Sequence, residues 1–246
     1  MNTAFGIDIG GSGIKGAPVD IERGCLAAER HRIPTPRPST PAAVGDVVRQ
    51  LLSHFQWEGD AGCTFPAVVK HGVTHTAANV DDAWIGCRAD ETLSAIAGRE
   101  LHLINDADAA GLAEVRFGAA RETNGTVIVL TLGTGIGSAI FLDGHLLPNT
   151  EFGHLEIRGK AAERRASDRV RKERGLDWGA WAKRVEEYLR RMEDLFWPDL
   201  FVIGGGVSKH HDSFLPRIRT RTPVVPAMLR NHAGIIGAAL RAAGEI

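Results

Sequence analysis

Asn105 and Asp106 stand where two sequence patterns meet. Before them, Leu101 to Ile104 is a short apolar run that reads as a buried strand. After them, an Ala-rich stretch reads as a helix over 106–117. Polar side chains at such a junction lie at the carboxyl end of a strand, where α/β proteins place their chemistry. A carboxylate there can take a proton from a hydroxyl, and a neighbouring amide can hold a polar substrate. Asp106 is therefore the candidate general base and Asn105 its neighbouring substrate ligand. The same residues could equally serve as the helix cap. Asp108 reads as a helix-start residue facing the dipole rather than a second catalyst.

Three glycine clusters point to a second kind of chemistry. They are Gly10-Gly11-Ser12-Gly13, Gly133-Thr134-Gly135-Ile136-Gly137 and Gly204-Gly205-Gly206. Glycine reaches turn dihedrals without steric cost, and consecutive backbone amides can cradle phosphate oxygens. Asp8 precedes the first cluster and could hold Mg2+ through water. Lys15 follows it and could pair with phosphate. Gly11-x-Gly13-x-x-Gly16 matches the dinucleotide fingerprint in letters only. That fingerprint must open a helix, and here Ile14, Pro18 and Val19 continue a strand. The P-loop spacing ending in Gly-Lys-Ser/Thr is absent. A polyphosphorylated ligand gripped between two domains would need this layout.

The elements that must position these residues follow from periodicity. Strands are expected at 5–9 and 14–19, with a further one over Leu26 to Ile33. Pro34, Pro36, Pro38 and Pro41 mark a loop. Val44, Val47, Val48, Leu51, Leu52 and Phe55 space out a helix over 42–55. A strand is expected over Thr64 to Val69, a polar loop over 74–86, and a short helix over 90–97 capped by Asp90. Strands follow at 126–132 and 138–142, with Asp143-Gly144 as a hairpin turn into 145–147. Residues 156–174 are charged and poorly periodic. Asp177 caps a long helix ended by Pro198, with Trp178 and Trp181 in its core face. A buried strand over 200–203, a short one at Val224-Val225 and a last helix over 233–243 complete the chain. Strand, glycine turn and strand thus occur twice, at 5–19 and 126–142, which implies two similar α/β domains facing each other across a cleft.

Composition excludes several classes. The chain has 246 residues, 43% hydrophobic and 24% charged, with a formal net charge of −1. That is enough for a real core and gives no global case for nucleic acid. Cys25, Cys63 and Cys87 are far apart and suggest neither a metal cluster nor a disulfide framework. No signal-peptide pattern opens the chain, and no apolar run nears the ~20 residues of a membrane span. A cytoplasmic protein, with no membrane partner, is expected. His210, His211 and Asp212 read as surface. Trp57 stays open, as does Trp84, which lies near a loop expected to carry substrate contacts. Between Arg158 and Arg174 eight Lys/Arg stand against three Asp/Glu, and Arg217, Arg219, Arg221 and Arg230 form a second cluster. These are either a solvated surface or a track for a long anion.

Together the motifs resemble the ROK family of sugar kinases and repressors. The matching stretches are Gly6-x-Asp8-x-Gly10-Gly11-Ser12-x-x-Lys15, Asn79 with Trp84-x-Gly86, and Asn105-Asp106-Ala107-Asp108-Ala109. They continue with Leu132 to Gly137, Glu151-x-Gly153-His154 and Gly204-Gly205-Gly206-Val207. The resemblance runs in order from residue 6 to 207. The short length and the run from Thr64 to Asp81 look most like the branch that uses inorganic polyphosphate. It implies an α/β fold of the ribonuclease-H-like, actin/hexokinase-like type. The small domain would take 1–103 plus 232–246, and the large domain 104–231. It implies phosphoryl transfer from polyphosphate or ATP, with Mg2+, to the 6-hydroxyl of glucose and of mannose. Asp106 would take the hydroxyl proton. Asn79, Asn105, Glu151 and His154 would hold the sugar, and Glu163, in Glu163-Arg164-Arg165-Ala166-Ser167, would join them. The family's cysteine zinc site is missing between Leu155 and Arg171, so no zinc is expected. A monomer or homodimer is expected, with no nucleic-acid partner.

Two other readings stay beside this one. An ATP-only hexose kinase of the same family fits Gly204 to Val207, which resembles the adenosine-side motif. A sugar-sensing repressor would carry a helix-turn-helix before the first glycine turn, where this sequence has five residues ahead of Gly6. A sensor without catalysis would be expected to lose the base, and Asp106 is present.

Overall fold

The computed structural model describes residues 2–77 and 80–245. In chain order the strands and helices begin with β1 (Thr3–Ile9), β2 (Ile14–Asp20), β3 (Cys25–Leu26), β4 (His31–Ile33), α1 (Pro41–His54), β5 (Ala61–Phe65), β6 (Val69–Lys70) and β7 (Val73–Thr74). They continue with α2 (Ala89–Ala97), β8 (Leu101–Asn105), α3 (Asp106–Phe117), β9 (Thr126–Leu132), β10 (Ile136–Leu142), β11 (His145–Leu147), β12 (Glu156–Ile157) and β13 (Lys160–Ala161). The remainder are α4 (Glu163–Ala166), α5 (Asp168–Glu173), α6 (Trp178–Phe196), β14 (Leu200–Gly204), α7 (His211–Phe214), β15 (Val224–Pro226) and α8 (Ala233–Ala242). The chain divides into two compact units, 1–113 with 232–246, and 114–231. The division falls within α3 rather than at 103/104, so Asn105 and Asp106 belong to the first unit.

The first unit is built on the sheet β3-β2-β1-β5-β8, with β4 also paired to β2. β1 and β2 are antiparallel, whereas β1, β5 and β8 run parallel. Phe5, Ile7, Val44, Val48, Leu51, Phe65 and Leu93 fill its core. The last helix, α8, closes on this sheet at backbone distance. A Cβ added at Gly6 would strike the carbonyl of Ile235, and one at Gly62 the carbonyl of Ala238. Only glycine permits that approach. The second unit repeats the strand pattern as β11-β10-β9-β14-β15, with β9 antiparallel to β10 and parallel to β14. Here α6 covers the sheet with large side chains, Trp181, Val185, Tyr188 and Met192, all buried. Asp177 caps it by accepting from Ala180 N–H at 2.7 Å.

The structure departs from the expectations at several elements. The strand expected over Leu26 to Ile33 is two short strands, because only His31–Ile33 and Cys25–Leu26 find partners on β2. The strand expected over Thr64 to Val69 begins at Ala61 and stops at Phe65, before Pro66. Within its Ala-Gly-Cys start, Gly62 is small because the Ala238 carbonyl of α8 lies directly over it. Asp90 is not the cap of α2: Arg88 precedes the helix without a side-chain cap, and Asp90 Oδ1 accepts from Glu91 N–H at 2.7 Å. Trp84 is fully buried, packs 4.4 Å from the Phe65 ring and donates to Ser39 O at 2.7 Å, so it is core rather than a substrate platform. The long helix ends at Phe196, where Trp197 turns left-handed with φ 48°, before Pro198 is reached. No helix is long and apolar enough to cross a membrane among the described residues.

Candidate active site

The carboxyl ends of β1, β5 and β8 gather the first group of polar residues. β-sheet register sets them side by side. Asp8 lies opposite Lys15 on β2 and beside Thr64 on β5. Its carboxylate accepts from Lys15 Nζ at 2.8 Å and from Thr64 Oγ1 at 3.0 Å. Thr64 Oγ1 in turn accepts from Ile9 N–H at 3.1 Å, which fixes the start of the glycine turn. Arg32, opposite Lys15 on β4, reaches over the turn and donates to Ser12 O at 2.6 Å. Thr35 Oγ1 donates to Gly10 O. Arg32, Thr35 and Thr64 escaped the sequence reading, since nothing in the letters reveals which strand pairs with which.

Each glycine turn is closed by a backbone hydrogen bond between two of its glycines. Gly10 N–H donates to Gly13 O at 3.2 Å, and Gly133 N–H donates to Gly135 O at 3.0 Å. The N–H groups of Gly11, Ser12 and Thr134 have no partner among the described residues. Left-handed dihedrals are not the reason for these glycines, contrary to expectation. Of the three clusters, only Gly205 has positive φ, at 80°. Gly133 and Gly206 have open space where a Cβ would stand, whereas Gly13 and Gly135 lie under the ends of long side chains. A Cβ on Gly13 would meet the Arg32 guanidinium at 2.5 Å from its Nη2, and one on Gly135 would lie 2.6 Å from Glu163 Oε2.

Asn105 ends β8 and is 7% exposed. Its Oδ1 accepts from Ala107 N–H at 2.8 Å and Asp108 N–H at 3.1 Å, so it does cap α3. Its Nδ2 donates to Ala67 O at 3.0 Å, leaving a second N–H on that nitrogen. Capping and substrate contact are therefore compatible roles. Asp106 opens the helix with an exposed side chain, and its Oδ1 accepts from Ala107 N–H at 2.9 Å. The positive end of α3 supports negative charge at that position. Asp108 is buried behind it, 1% exposed.

In the second unit the segment after β11 carries another group. Ser138 Oγ donates to Thr150 O at 2.8 Å and accepts from Phe152 N–H at 3.0 Å, gripping both neighbours of Glu151. Gly153 packs on the carbonyl of Ile136, which a Cβ would strike. Glu151 Oε2 lies 3.9 Å from His154 Nε2. Burial raises the Glu151 pKa above its ordinary value, His154 lowers it and Glu163 raises it further. Glu151, His154 and Glu163 thus share one surface of this unit with Gly135. Gly205, at the end of β14, lies against the Leu132 backbone. Asn79 lies outside the described residues.

Residues 4–169 match the ROK family. The chain belongs to the ROK family. It is 50% identical over 242 residues to a polyphosphate glucokinase of Mycobacterium tuberculosis, covering 98% of this chain and 91% of that protein. The crystal structure of an inorganic polyphosphate/ATP-glucomannokinase from Arthrobacter sp. strain KM superposes with a TM-score of 0.95 at 49% identity, covering all of both chains. A ROK glucokinase from Streptomyces griseus, solved with glucose and AMPPNP, gives 0.81 at 25% identity, covering 97% of this chain and 98% of that one. The fold is that of the ROK sugar kinases, the actin/hexokinase-like type.

Proposed function

We propose that the protein is a hexokinase that transfers a phosphoryl group from inorganic polyphosphate or ATP to the 6-hydroxyl of glucose, and of mannose. The observation that carries this reading is Asp106: an exposed carboxylate at the helix start that follows β8, in a ROK chain half identical to a polyphosphate glucokinase. Phosphoryl transfer needs in-line positioning, neutralised charge and a base at the attacking hydroxyl. Asp106 accepts the hydroxyl proton. The free N–H on Asn105 Nδ2 donates to a neighbouring sugar oxygen, and Glu151, His154 and Glu163 hold further hydroxyls, as Asn79 does in the family pattern. The turn amides and Lys15 meet the donor phosphates.

Mg2+ fits this reading at Asp8, whose carboxylate is a hard oxygen donor beside a glycine turn with unpartnered amides. When bound, it neutralises charge on the donor phosphates. Lys15, now paired with Asp8, would be free to pair with phosphate if a cation took its place at that carboxylate.

The test is hexose 6-phosphate formation by purified protein with Mg2+, glucose or mannose, and polyphosphate or ATP. Asp106→Asn should lower kcat by about 10²–10⁴, the usual worth of a general base, with an unchanged unfolding midpoint. Wild-type activity with neither sugar would overturn the substrate. A fully active Asp106→Asn would overturn the base.

A further inference from the structure

A cavity of about 620 Å3 lies within the second unit. Three segments wall it: the turn at Gly133 and Thr134, the helix α5, and the residues Gly206 to His210 that follow β14. The α5 start is tied to the turn, because Arg169 N–H donates to Gly133 O at 3.1 Å. The cavity therefore begins at the amides assigned to donor phosphates and runs on along α5.

The lining is cationic. Arg169, Arg171, Lys172 and Lys209 face it against two carboxylates, Asp168 and Glu173. Asp168 is taken up by Arg171 and Lys172, each at 2.8 Å. Glu173 stands 4.0 Å from Arg169, and Lys209 has no counter-ion among the described residues. Val207 is the one aliphatic side chain beyond the glycines, and it is buried. Trp178 holds Arg171 from behind, with its guanidinium 4.0 Å over the ring, and is not itself a wall. A nucleoside pocket is built mostly of apolar and aromatic surface around a few polar groups. Rows of cations continuing from backbone amides suit a chain of phosphates instead.

The other basic cavity, about 690 Å3 and lined by six Lys/Arg, is a weaker candidate. Four carboxylates share it. Arg158 and Arg165 both pair with Glu187, and Arg190 with Glu186. It touches neither glycine turn.

We infer that the phosphates of polyphosphate remote from the transferred group lie in the α5 cavity, held by Arg169 and Lys209, beyond the turn amides that polyphosphate and ATP would share. This rests on the donor reading above. The two donors then exclude each other, and the cation wall serves polyphosphate far more than ATP.

The experiment uses the full chain and medium-chain polyphosphate, with the double variant Arg169→Ala/Lys209→Ala. The KM for polyphosphate should rise at least about tenfold, as expected for two lost charge-assisted contacts, while that for ATP moves less than about threefold. Its rise with salt should also flatten, because fewer ion contacts remain to be screened. Direct binding of the same polyphosphate, without sugar, should weaken in the variant and be displaced by ATP. Unchanged polyphosphate KM and binding in the variant, or failure of ATP to displace it, would overturn the inference even if hexose turnover is normal. Conversely, a wild type that phosphorylates no hexose, yet shows ATP-displaceable polyphosphate binding lost in the variant, would sink the hexokinase reading and leave this site standing.

Discussion

Asp8 in the first sheet and Thr131 in the second occupy equivalent places. Asp8 faces Lys15 on the antiparallel neighbour and Thr64 on the parallel one. Thr131 faces Gly137 and Gly204 at the same two places. The strand pattern is repeated and the chemistry is not. Around the first turn, a carboxylate, an ammonium and a hydroxyl are locked together, which suits a cation and the phosphate being transferred. Around the second, two glycines leave the backbone open, which suits close approach by a longer donor. The two sheets are also covered differently. α8 meets the first sheet backbone to backbone at Gly6 and Gly62, whereas α6 fills the gap over the second with Trp181 and Tyr188. Repeating a topology therefore conserves where a site can be, and leaves residue type to decide what it does.

The covering of the sheets gives the largest expected effects, and with opposite signs of volume change. In the second unit Trp181→Ala removes a fully buried ring and should cost roughly 3–5 kcal/mol. In the first unit the damaging change is an added methyl: Gly62→Ala should cost about 1–3 kcal/mol or more, because the Ala238 carbonyl cannot yield without moving α8. Urea unfolding of both variants measures this. A neutral Gly62→Ala would show that α8 is not held by backbone contact, and the contrast would fail.

The turns give the next effect. Asp8→Asn should lower kcat on the order of 10²-fold, about 2.7 kcal/mol of transition-state stabilisation. Thr131→Val, the matching change in the second sheet, should alter kcat less than about threefold, as a near-isosteric swap outside any charge pair. Steady-state kinetics with saturating hexose decides it. Equal losses would mean that the second copy carries the same chemistry under a different residue.

Much of this was legible beforehand for physical reasons. Glycine turns, the Asn105-Asp106 junction and the amphipathic α6 announce themselves, because each depends on local spacing. The duplication was visible in the order strand, glycine turn and strand at 5–19 and 126–142. What stayed hidden depends on pairing across long separations. Thr64 beside Asp8 and Arg32 beside the turn are consequences of sheet register, which one sequence does not reveal. Trp84 stayed open because it lies near the loop expected to contact substrate, although its ring closes a core. The small residues at the start of β5 concealed a central strand, where Gly62 lies against the backbone of α8. Left-handed dihedrals were expected at the turn glycines, and of the three clusters only Gly205 has one.

The smallest effect concerns protons, and it separates the carboxylates of the second unit from those of the first. Burial and the nearby Glu163 raise the Glu151 pKa, whereas His154 lowers it. A sugar hydroxyl that donates to Glu151 requires the carboxylate, so protonation weakens binding. The acid limb of kcat/KM for hexose should therefore lie above that of an unperturbed glutamate. Removing the favourable neighbour, in His154→Ala, raises the Glu151 pKa further and moves that limb to higher pH. Removing the repelling charge, in Glu163→Gln, lowers it and moves the limb to lower pH. Each shift should be small, because the His154 and Glu151 side chains are both exposed and water screens them. Asp8→Asn should leave the limb where it is, since neither Asp8 nor Lys15 contributes to the shift at Glu151. Profiles of kcat/KM against pH for the three variants test the assignment. Shifts of the same sign in His154→Ala and Glu163→Gln would mean that another group sets the limb.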